Sequence, residues 1–430
     1  MSTGFDRDPD EFSRGARAVV VFPDMGGSSR DADARLEETA GLAAAIGVEV
    51  QQRVAIKLRQ PKPGTLIGSG QVEALAESVR DEDLQLAVFD AALTPVQQRN
   101  LETALGCKVI DRTGLILEIF GERARTAEGR LQVELAHLDY QAGRLVRSWT
   151  HLERQRGGFG FLGGPGETQI EADRRLIRDR MARLRRELDQ VSRTRALHRD
   201  RRQRAPWPVI ALVGYTNAGK STLFNRLTGA EVMAENLLFA TLDPTLRQIA
   251  LPGIDKAILS DTVGFVSELP TQLVAAFKAT LEEVVSADLL VHVRDIAHPD
   301  TEAQRSDVEK VLGEIGVSET TPRFEAWNKL DLLDEDERAA LLEEAAKREN
   351  VMPISAMSGE GVDALVDAIA GKLTKEHRRY TIALDPADGA GAAWLHQHGE
   401  VCDHWVEDGQ AVYEVRMAPR DLERFETRNA

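Results

Sequence analysis

A glycine-rich segment between an apolar run and a helical run constrains this sequence more than any other feature. It matches the phosphate-loop pattern G-x-x-x-x-G-K-S/T and consists of Gly214, Tyr215, Thr216, Asn217, Ala218, Gly219, Lys220 and Ser221. The run Val209–Val213 predicts a strand before it, and Thr222–Leu227 predicts a helix after it. A chance glycine-rich turn is the alternative, and this flanking order argues against it. The sequence therefore predicts an α/β domain that binds a nucleotide.

The residue types of this loop fit phosphate chemistry. Glycines let the backbone wrap closely, so that successive N–H groups point at phosphate oxygens, and the helix N-terminus adds partial positive charge. Lys220 is predicted to reach the β- and γ-phosphates, and the Ser221 hydroxyl is predicted to bind Mg²⁺.

The choice of base depends on a second motif that follows the predicted strand Arg323–Trp327. This motif consists of Asn328, Lys329, Leu330 and Asp331. The Asp331 carboxylate can accept two hydrogen bonds from guanine N1–H and N2–H, whereas adenine would leave it unpaired. Asn328 is predicted to bond the base edge, and the Lys329 stem to cover the purine ring. The predicted ligands are therefore GTP and GDP.

Three further segments complete the predicted GTP site. Asp261 would hold Mg²⁺ through water, and the Gly264 N–H would contact the γ-phosphate. Thr241 is the candidate second Mg²⁺ ligand; an ordinary surface threonine is the alternative, because Thr245 lies nearby. In the segment that begins at Ser355, backbone N–H groups can donate hydrogen bonds to guanine O6. The segments are Asp261, Thr262, Val263 and Gly264; Phe239, Ala240, Thr241, Leu242 and Asp243; and Ser355, Ala356 and Met357.

Catalysis of hydrolysis needs an explanation, because Phe265 stands where many GTPases have the glutamine that orients the attacking water. We therefore expect slow intrinsic hydrolysis that depends on outside help. Asn217 resembles the asparagine with which some related GTPases coordinate K⁺ beside the phosphates; the alternative is that it only shapes the loop. The catalytic candidates are Lys220, Asn217 and Gly264.

The rest of the 430-residue chain suggests further units. Alternating apolar and helical runs predict a parallel α/β unit at the N-terminus. Two amphipathic stretches around Gly157–Gly166 predict a helical hairpin with a flexible tip. In the tail, Tyr380–Leu384 and Val412–Met417 predict strands, and Ala392–Val401 predicts a helix. The predicted architecture is an α/β N-terminal domain, a helical hairpin linker, a P-loop GTPase domain and a small α+β C-terminal domain, with bounds 1–127, 128–205, 206–375 and 376–430.

The second helix of the hairpin is rich in arginine. Residues 171–204 hold thirteen Arg and six acidic residues, an excess of seven positive charges in a chain whose formal net charge is −16. Contact with RNA phosphates is the functional interpretation, and a solvated helix face is the alternative. The candidate RNA contacts are Arg156, Arg174, Arg175 and Arg178.

Composition and cysteine usage exclude several classes of protein. The only two cysteines, Cys107 and Cys402, lie far apart, which argues against a disulfide framework or a zinc ribbon. No apolar run is long enough for an integral membrane segment, and Met1–Phe12 is polar and acidic. We expect a cytoplasmic, monomeric protein.

Taken together, these motifs resemble the HflX family of ribosome-associated GTPases. Further residues that carry the resemblance lie in Gly64–Gln71, Ile110–Phe120, Glu128–Leu135 and Gly163–Thr168. The resemblance implies binding to the large ribosomal subunit and its rRNA, and dissociation of stalled or idle ribosomes. Gly64–Gln71 itself looks like a second nucleotide loop, but it lacks the Lys-Ser ending, so a turn is predicted there and use of ATP stays open.

Two other functions remain as alternatives at this point. One is a ribosome-assembly or RNA-modification factor that uses GTP as a switch. The other is a scaffold that binds GTP without hydrolysing it.

Overall fold

A computed structural model describes most of the chain. The described residues are 14–26, 31–124, 126–155, 172, 174–191, 207–230, 239, 245–267, 278–375, 378–407, 409–417, 422 and 425–426. Among them lie three separate sheets.

The first sheet is parallel, as the alternating sequence pattern predicts. Its four strands run in the order β2-β1-β3-β4, and β1 pairs with both β2 and β3. The strands are β1 (Arg17–Asp24), β2 (Glu49–Lys57), β3 (Leu86–Phe89) and β4 (Lys108–Asp111). The helices are α1 (Ala32–Ala45), α2 (Ser69–Asp81), α3 (Pro95–Leu105) and α4 (Arg112–Arg123).

The Gly64–Gln71 segment forms a turn and a helix start. Gly68 is the N-cap of α2, and the Gln71 side chain accepts a hydrogen bond from the Gly68 N–H at 2.9 Å. Leu66 and Ile67 are buried. This arrangement agrees with the predicted turn, since the segment packs and caps a helix.

Two helices follow the first sheet. The first is α5 (Ala127–Gln155), and the second, α6, covers residues 174–191. Arg180 on α6 forms an ion pair with Glu134 on α5 at 2.6 Å. The glycine-rich tip and Arg156 lie outside the described residues.

The second sheet positions the phosphate loop. Its order is β10-β9-β8-β5-β7-β6, and only the β6–β7 pair is antiparallel. Strand β5, which leads into the loop, lies inside the sheet between β7 and β8. The strands are β5 (Val209–Val213), β6 (Thr245–Leu251), β7 (Ile254–Asp261), β8 (Leu289–Asp295), β9 (Arg323–Asn328) and β10 (Val351–Pro353). The helices are α7 (Lys220–Thr228), α8 (Lys278–Val285), α9 (Thr301–Glu314), α10 (Glu335–Ala346) and α11 (Val362–Lys375).

The third sheet belongs to the tail and corrects one prediction. Its strands β11 (Arg378–Leu384), β12 (Glu400–Glu407) and β13 (Gln410–Met417) run in the order β11-β13-β12, all antiparallel. The helix predicted over Ala392–Val401 is α12 (Gly389–His398), so its predicted end was wrong. The chain turns into β12 at Glu400, because Gly399 is the extended C-cap of α12.

The largest hydrophobic core crosses from the first sheet to the second. It includes Phe22 and Phe120 from the N-terminal part, and Val213 and Phe265 from the GTPase part. The two α/β units therefore share buried surface. No helix within the described ranges is long and apolar enough to cross a membrane.

Candidate nucleotide-binding site

The phosphate loop follows β5 and needs glycine at two positions. Gly214 has φ +152°, and a Cβ there would lie 2.2 Å from the Val293 carbonyl oxygen. Gly219 has φ +94°, and its Cβ would lie 2.2 Å from Asn328 Nδ2. Both contacts are far too short for a side chain. The loop therefore packs directly against β8 and the end of β9, as close backbone wrapping requires.

Lys220 is the first residue of α7 and is buried. Its Nζ donates to the carbonyl oxygens of Gly214 at 3.1 Å and Tyr215 at 2.8 Å. Burial lowers the pKa of Lys220 to about 8, although the nearby Asp261 carboxylate opposes this shift. An ammonium held in this way is tethered inside the loop, in the position expected of the lysine that contacts nucleotide phosphates.

Ser221 and Asp261 come together as the sequence predicts for a metal site. The Ser221 hydroxyl donates to Asp261 Oδ2 at 2.8 Å, and Asp261 is fully buried at the end of β7. A hydroxyl next to a carboxylate supplies the oxygen ligands that Mg²⁺ prefers. These residues fit the ion. Thr241 lies outside the described residues, as do Ala240, Leu242 and Asp243.

The segment after Asp261 lies against the phosphate loop. The Thr216 N–H donates to the Phe265 carbonyl at 2.8 Å, and the Phe265 N–H donates to the Gly214 carbonyl at 3.1 Å. A Cβ on Gly264 would lie 2.8 Å from Thr216 Cγ2 and 3.1 Å from Lys220 Nζ, so this position also needs glycine. The Phe265 side chain is 1% exposed and belongs to the core. It therefore cannot orient a water molecule.

Asn328 connects the two loops of the site. Its Nδ2 donates to the Ala218 carbonyl at 2.8 Å, and its Oδ1 accepts from the Ala356 N–H at 2.8 Å. Asn328 is buried, and both the nitrogen and the oxygen of its side-chain amide form hydrogen bonds with backbone groups. The role of this side chain is thus to hold the phosphate loop against the Ser355–Met357 loop, while its predicted bond to the base edge stays a prediction.

The predicted guanine-reading carboxylate is positioned by a serine. Asp331 is exposed, and its Oδ1 accepts from the Ser355 hydroxyl at 2.5 Å. The Ser355 hydroxyl also accepts from the Ser358 N–H at 3.0 Å, and Ser355 is fully buried. The buried serine therefore orients the carboxylate at the surface.

Sequence reasoning missed two side chains that build the base site, Asp295 and Arg226. Asp295 pairs with the Nζ of the predicted Lys329 at 2.6 Å, which fixes the stem of the lysine, and Lys329 itself has φ +73°. Arg226 on α7 donates to the Ala356 carbonyl at 2.7 Å and also to the Met357 carbonyl. Neither Asp295 nor Arg226 belongs to a recognised motif, and their partners are distant in sequence.

Asn217 is the exposed residue of the phosphate loop and has φ +59°. Asparagine is one of the few residues other than glycine that adopts this left-handed conformation readily. The backbone therefore gives one reason for asparagine at this position.

Four family models match consecutive parts of the chain. They are described as "GTP-binding GTPase N-terminal", "GTP-binding GTPase Middle Region", "50S ribosome-binding GTPase" and "HflX C-terminal domain", and they match residues 33–121, 123–202, 209–329 and 340–429. The chain belongs to the HflX family of GTPases.

Relatives named GTPase HflX align along almost the whole length. The protein from Magnetococcus marinus is 50% identical over 401 residues, which cover 93% of this chain and 91% of the relative. The protein from Escherichia coli K12 is 44% identical over 418 residues and covers 97% of each chain. HflX proteins are P-loop enzymes, so this member of the family binds GTP and hydrolyses it to GDP and phosphate.

Proposed function

We propose that this HflX GTPase binds the large ribosomal subunit and dissociates stalled or idle ribosomes. The observation that carries the proposal is the outward-facing row of arginines on α6. The family model described as "50S ribosome-binding GTPase", which matches residues 209–329, supports the same partner.

Helix α6 separates its apolar and basic residues onto different faces. Met181 and Leu184 are buried. One arginine, Arg180, pairs with Glu134 on α5. The other exposed arginines of the helix are Arg175, Arg178, Arg183, Arg185 and Arg186. The helix therefore packs through its apolar stripe, and its arginine-rich face is exposed and can contact a polyanion.

The charge of the rest of the chain makes this face distinctive. The whole chain carries −16, so bulk charge opposes contact with nucleic acid. A local row of arginines can neutralise rRNA phosphates and release counterions, and such binding weakens steeply as salt rises. Arg174, Arg175 and Arg178 are the described members of the proposed RNA contact.

Sucrose-gradient sedimentation tests this function. With GTP or a non-hydrolysable analogue, the protein is expected to convert intact ribosomes to subunits and to sediment with the large subunit. Persistence of intact ribosomes, with the protein bound only to assembly precursors, would instead favour an assembly or RNA-modification switch.

A pair of matched variants separates the arginine face from general surface charge. Arg175→Gln with Arg178→Gln should weaken binding to the large subunit about tenfold at moderate salt and reduce the salt slope by about two. Lys347→Gln with Arg348→Gln removes the same charge from the turn after α10, and we expect binding to stay within twofold of the wild type. Equal effects of both pairs would contradict a specific basic face.

We also propose roles for the nucleotide-site residues. Ser221 and Thr241 hold Mg²⁺ with Asp261 acting through water, Asp331 selects guanine, and K⁺ binds at Asn217. The geometry of Ser221 and Asp261 supports the first role. The Ser355 hydroxyl on Asp331 supports the second.

Three proposals concern the chain as a whole. We propose that the protein is cytoplasmic, because its proposed target is the ribosome, and that it acts as a monomer. The domain bounds are taken as 1–127, 128–205, 206–375 and 376–430, which assign one sheet to each of the first, third and fourth units.

A further inference from the structure

The phosphate loop is bonded to the N-terminal domain through Tyr215. This side chain is buried, and its hydroxyl donates to Glu38 Oε2 at 2.7 Å. The same hydroxyl accepts from the Ser267 N–H at 2.7 Å. One phenol therefore joins three elements: the phosphate loop, helix α1 and the segment that follows Gly264.

Arg112 reinforces this junction from the start of α4. Its Nη2 donates to the Ser267 hydroxyl at 2.7 Å and to the Ser267 carbonyl at 3.2 Å, and its Nε donates to the same carbonyl at 3.3 Å. Its Nη1 donates to Asp90 at 2.5 Å, and Nη2 also pairs with Glu38. The Ser267 hydroxyl in turn donates to Glu38 Oε1 at 3.1 Å.

The charges of this junction balance inside a buried site. Arg112 is 3% exposed, and its two carboxylate partners are Glu38 and Asp90. Arg35 pairs with the other oxygen of Asp90 at 2.8 Å. Burial opposes the charge on Arg112, but the carboxylates of Asp90 and Glu38 raise its pKa, so the guanidinium stays cationic. A buried, fully paired arginine fixes the geometry of whatever it holds.

Arg112 and Tyr215 hold the segment that begins at Gly264. Phe265 is bonded to the phosphate loop through backbone, and Ser267 is bonded to Arg112 and Tyr215. The segment 264–267 is therefore held at both ends. Helix α4, which begins at Arg112, makes a second contact with the GTPase domain. The ring of Phe120 on α4 lies 4.7 Å from the ring of Phe239 in an edge-on arrangement.

We propose that Tyr215, Glu38 and Arg112 are positioning residues that hold Gly264 for the γ-phosphate, so that docking of the N-terminal domain sets the preference for GTP over GDP. The proposal rests on nucleotide binding at the phosphate loop, but it does not depend on the ribosome. GDP lacks the phosphate that Gly264 would contact, so only GTP gains from a segment held in place. By linkage, GTP tightens the docking of the N-terminal domain by the same factor.

Equilibrium binding of two probes to the full-length protein tests the proposal. The probes are GDP and guanosine 5′-(β,γ-imido)triphosphate, which carries a γ-phosphate that is not hydrolysed. In Tyr215→Phe and in Glu38→Gln we expect the affinity ratio of analogue to GDP to fall about tenfold, in the range typical of coupling between sites. In Glu38→Gln, whose side chain lies on α1 outside the phosphate loop, affinity for GDP should stay within twofold of the wild type. In Arg112→Lys, which keeps the charge but loses the planar fork, we expect a similar fall.

A matched control distinguishes positioning from stability. Arg144→Met removes another partly buried arginine, which pairs with Asp111 at 2.9 Å rather than with Ser267 or Glu38. It should lower the melting temperature without changing the ratio. The double variant Tyr215→Phe/Glu38→Gln should lose less than the sum of the two single variants, because both single variants act on the Tyr215–Glu38 hydrogen bond.

Two results would overturn the proposal. One is an unchanged ratio in folded Tyr215→Phe and Glu38→Gln protein. The other is an equal loss of affinity for both probes, which would mean that the junction only supports the loop. Failure of the wild type to bind either probe would instead refute the nucleotide site itself.

Discussion

Arg226 Nε donates a hydrogen bond of 2.7 Å to the carbonyl oxygen of Ala356. This contact joins the helix after the phosphate loop to the loop that is predicted to read guanine O6. Arg226→Gln should therefore loosen the base-reading loop. We expect guanine nucleotides to bind about fivefold more weakly, a loss of about 1 kcal/mol, because the partly exposed hydrogen bonds of Arg226 to the Ala356 and Met357 carbonyls are weakened. Calorimetric titration with GDP measures this, with Arg348→Gln as a surface control; equal affinities in the two variants would contradict it.

Gly264→Ala should slow GTP hydrolysis much more than it weakens GDP binding. The added methyl group would lie 2.8 Å from Thr216 Cγ2 and 2.9 Å from Thr216 Cα, so the segment must move away from the loop. Loss of one backbone donor to the γ-phosphate predicts a fall in kcat of at least about 10²-fold. Phosphate release and GDP titration are the two measurements. A variant that hydrolyses GTP at the wild-type rate would show that Gly264 does not act on the phosphate.

Asp331→Asn should change the choice of base. The amide no longer accepts both guanine donors, but its N–H₂ can donate to the 2-carbonyl of xanthine. We expect affinity for GTP to fall about 10²-fold or more, and xanthosine triphosphate to bind better than GTP. Competition binding with both nucleotides gives the ratio. Ser355→Ala is the control, because it leaves the carboxylate in place and should lower affinity for GTP only a few-fold. A preference for GTP that persists in Asp331→Asn would show that Asp331 does not select the base.

Replacement of K⁺ by Na⁺ tests the proposed ion at Asn217. If K⁺ neutralises charge beside the phosphates, GTP hydrolysis should be faster in K⁺, and Asn217→Ala should abolish that preference. Asn217→Gly is the informative control, because glycine also tolerates φ +59° but offers no ligand oxygen. Equal rates in both salts for the wild type would leave Asn217 with only its backbone role.

Asp90 should make the N-terminal domain sensitive to acid. Burial by itself would raise the pKa of Asp90, but Arg112 and Arg35 hold it below its ordinary value of 3.8. A carboxyl whose pKa is depressed by folding contributes stability that is present above the ordinary value and lost as the pH falls through the folded one. Asp90→Asn should lose about 3 kcal/mol at pH 7, because Arg112 and Arg35 keep a buried charge without its partner.

Hydrogen exchange of the β3 amides, followed from pH 7 down to pH 3, measures the acid sensitivity. The wild type should lose protection below about pH 4, where an ordinary aspartate begins to take up protons. Asp90→Asn should be less protected throughout, with a flatter pH dependence. Identical profiles would show that the Asp90 pairs contribute no net stability.

The sequence by itself determined the elements that local patterns encode. Strand Val209–Val213 has the predicted bounds, and the predicted helix Thr222–Leu227 lies within α7 (Lys220–Thr228), because apolar periodicity acts over a few residues. Strands β6 and β12 were missed, since both are edge strands with exposed polar residues and lack a clear alternation.

The tertiary structure alone decided how the phosphate loop is held. The lysine, serine and aspartates of the motifs could be named in advance, because nucleotide chemistry requires those residue types at those spacings. The contacts of Tyr215 with Glu38 and of Arg112 with Ser267 join residues separated by 177 and 155 positions. No periodicity or motif encodes such pairs, since they form only when two sheets that lie far apart in the sequence pack together and bury charged side chains at a common surface.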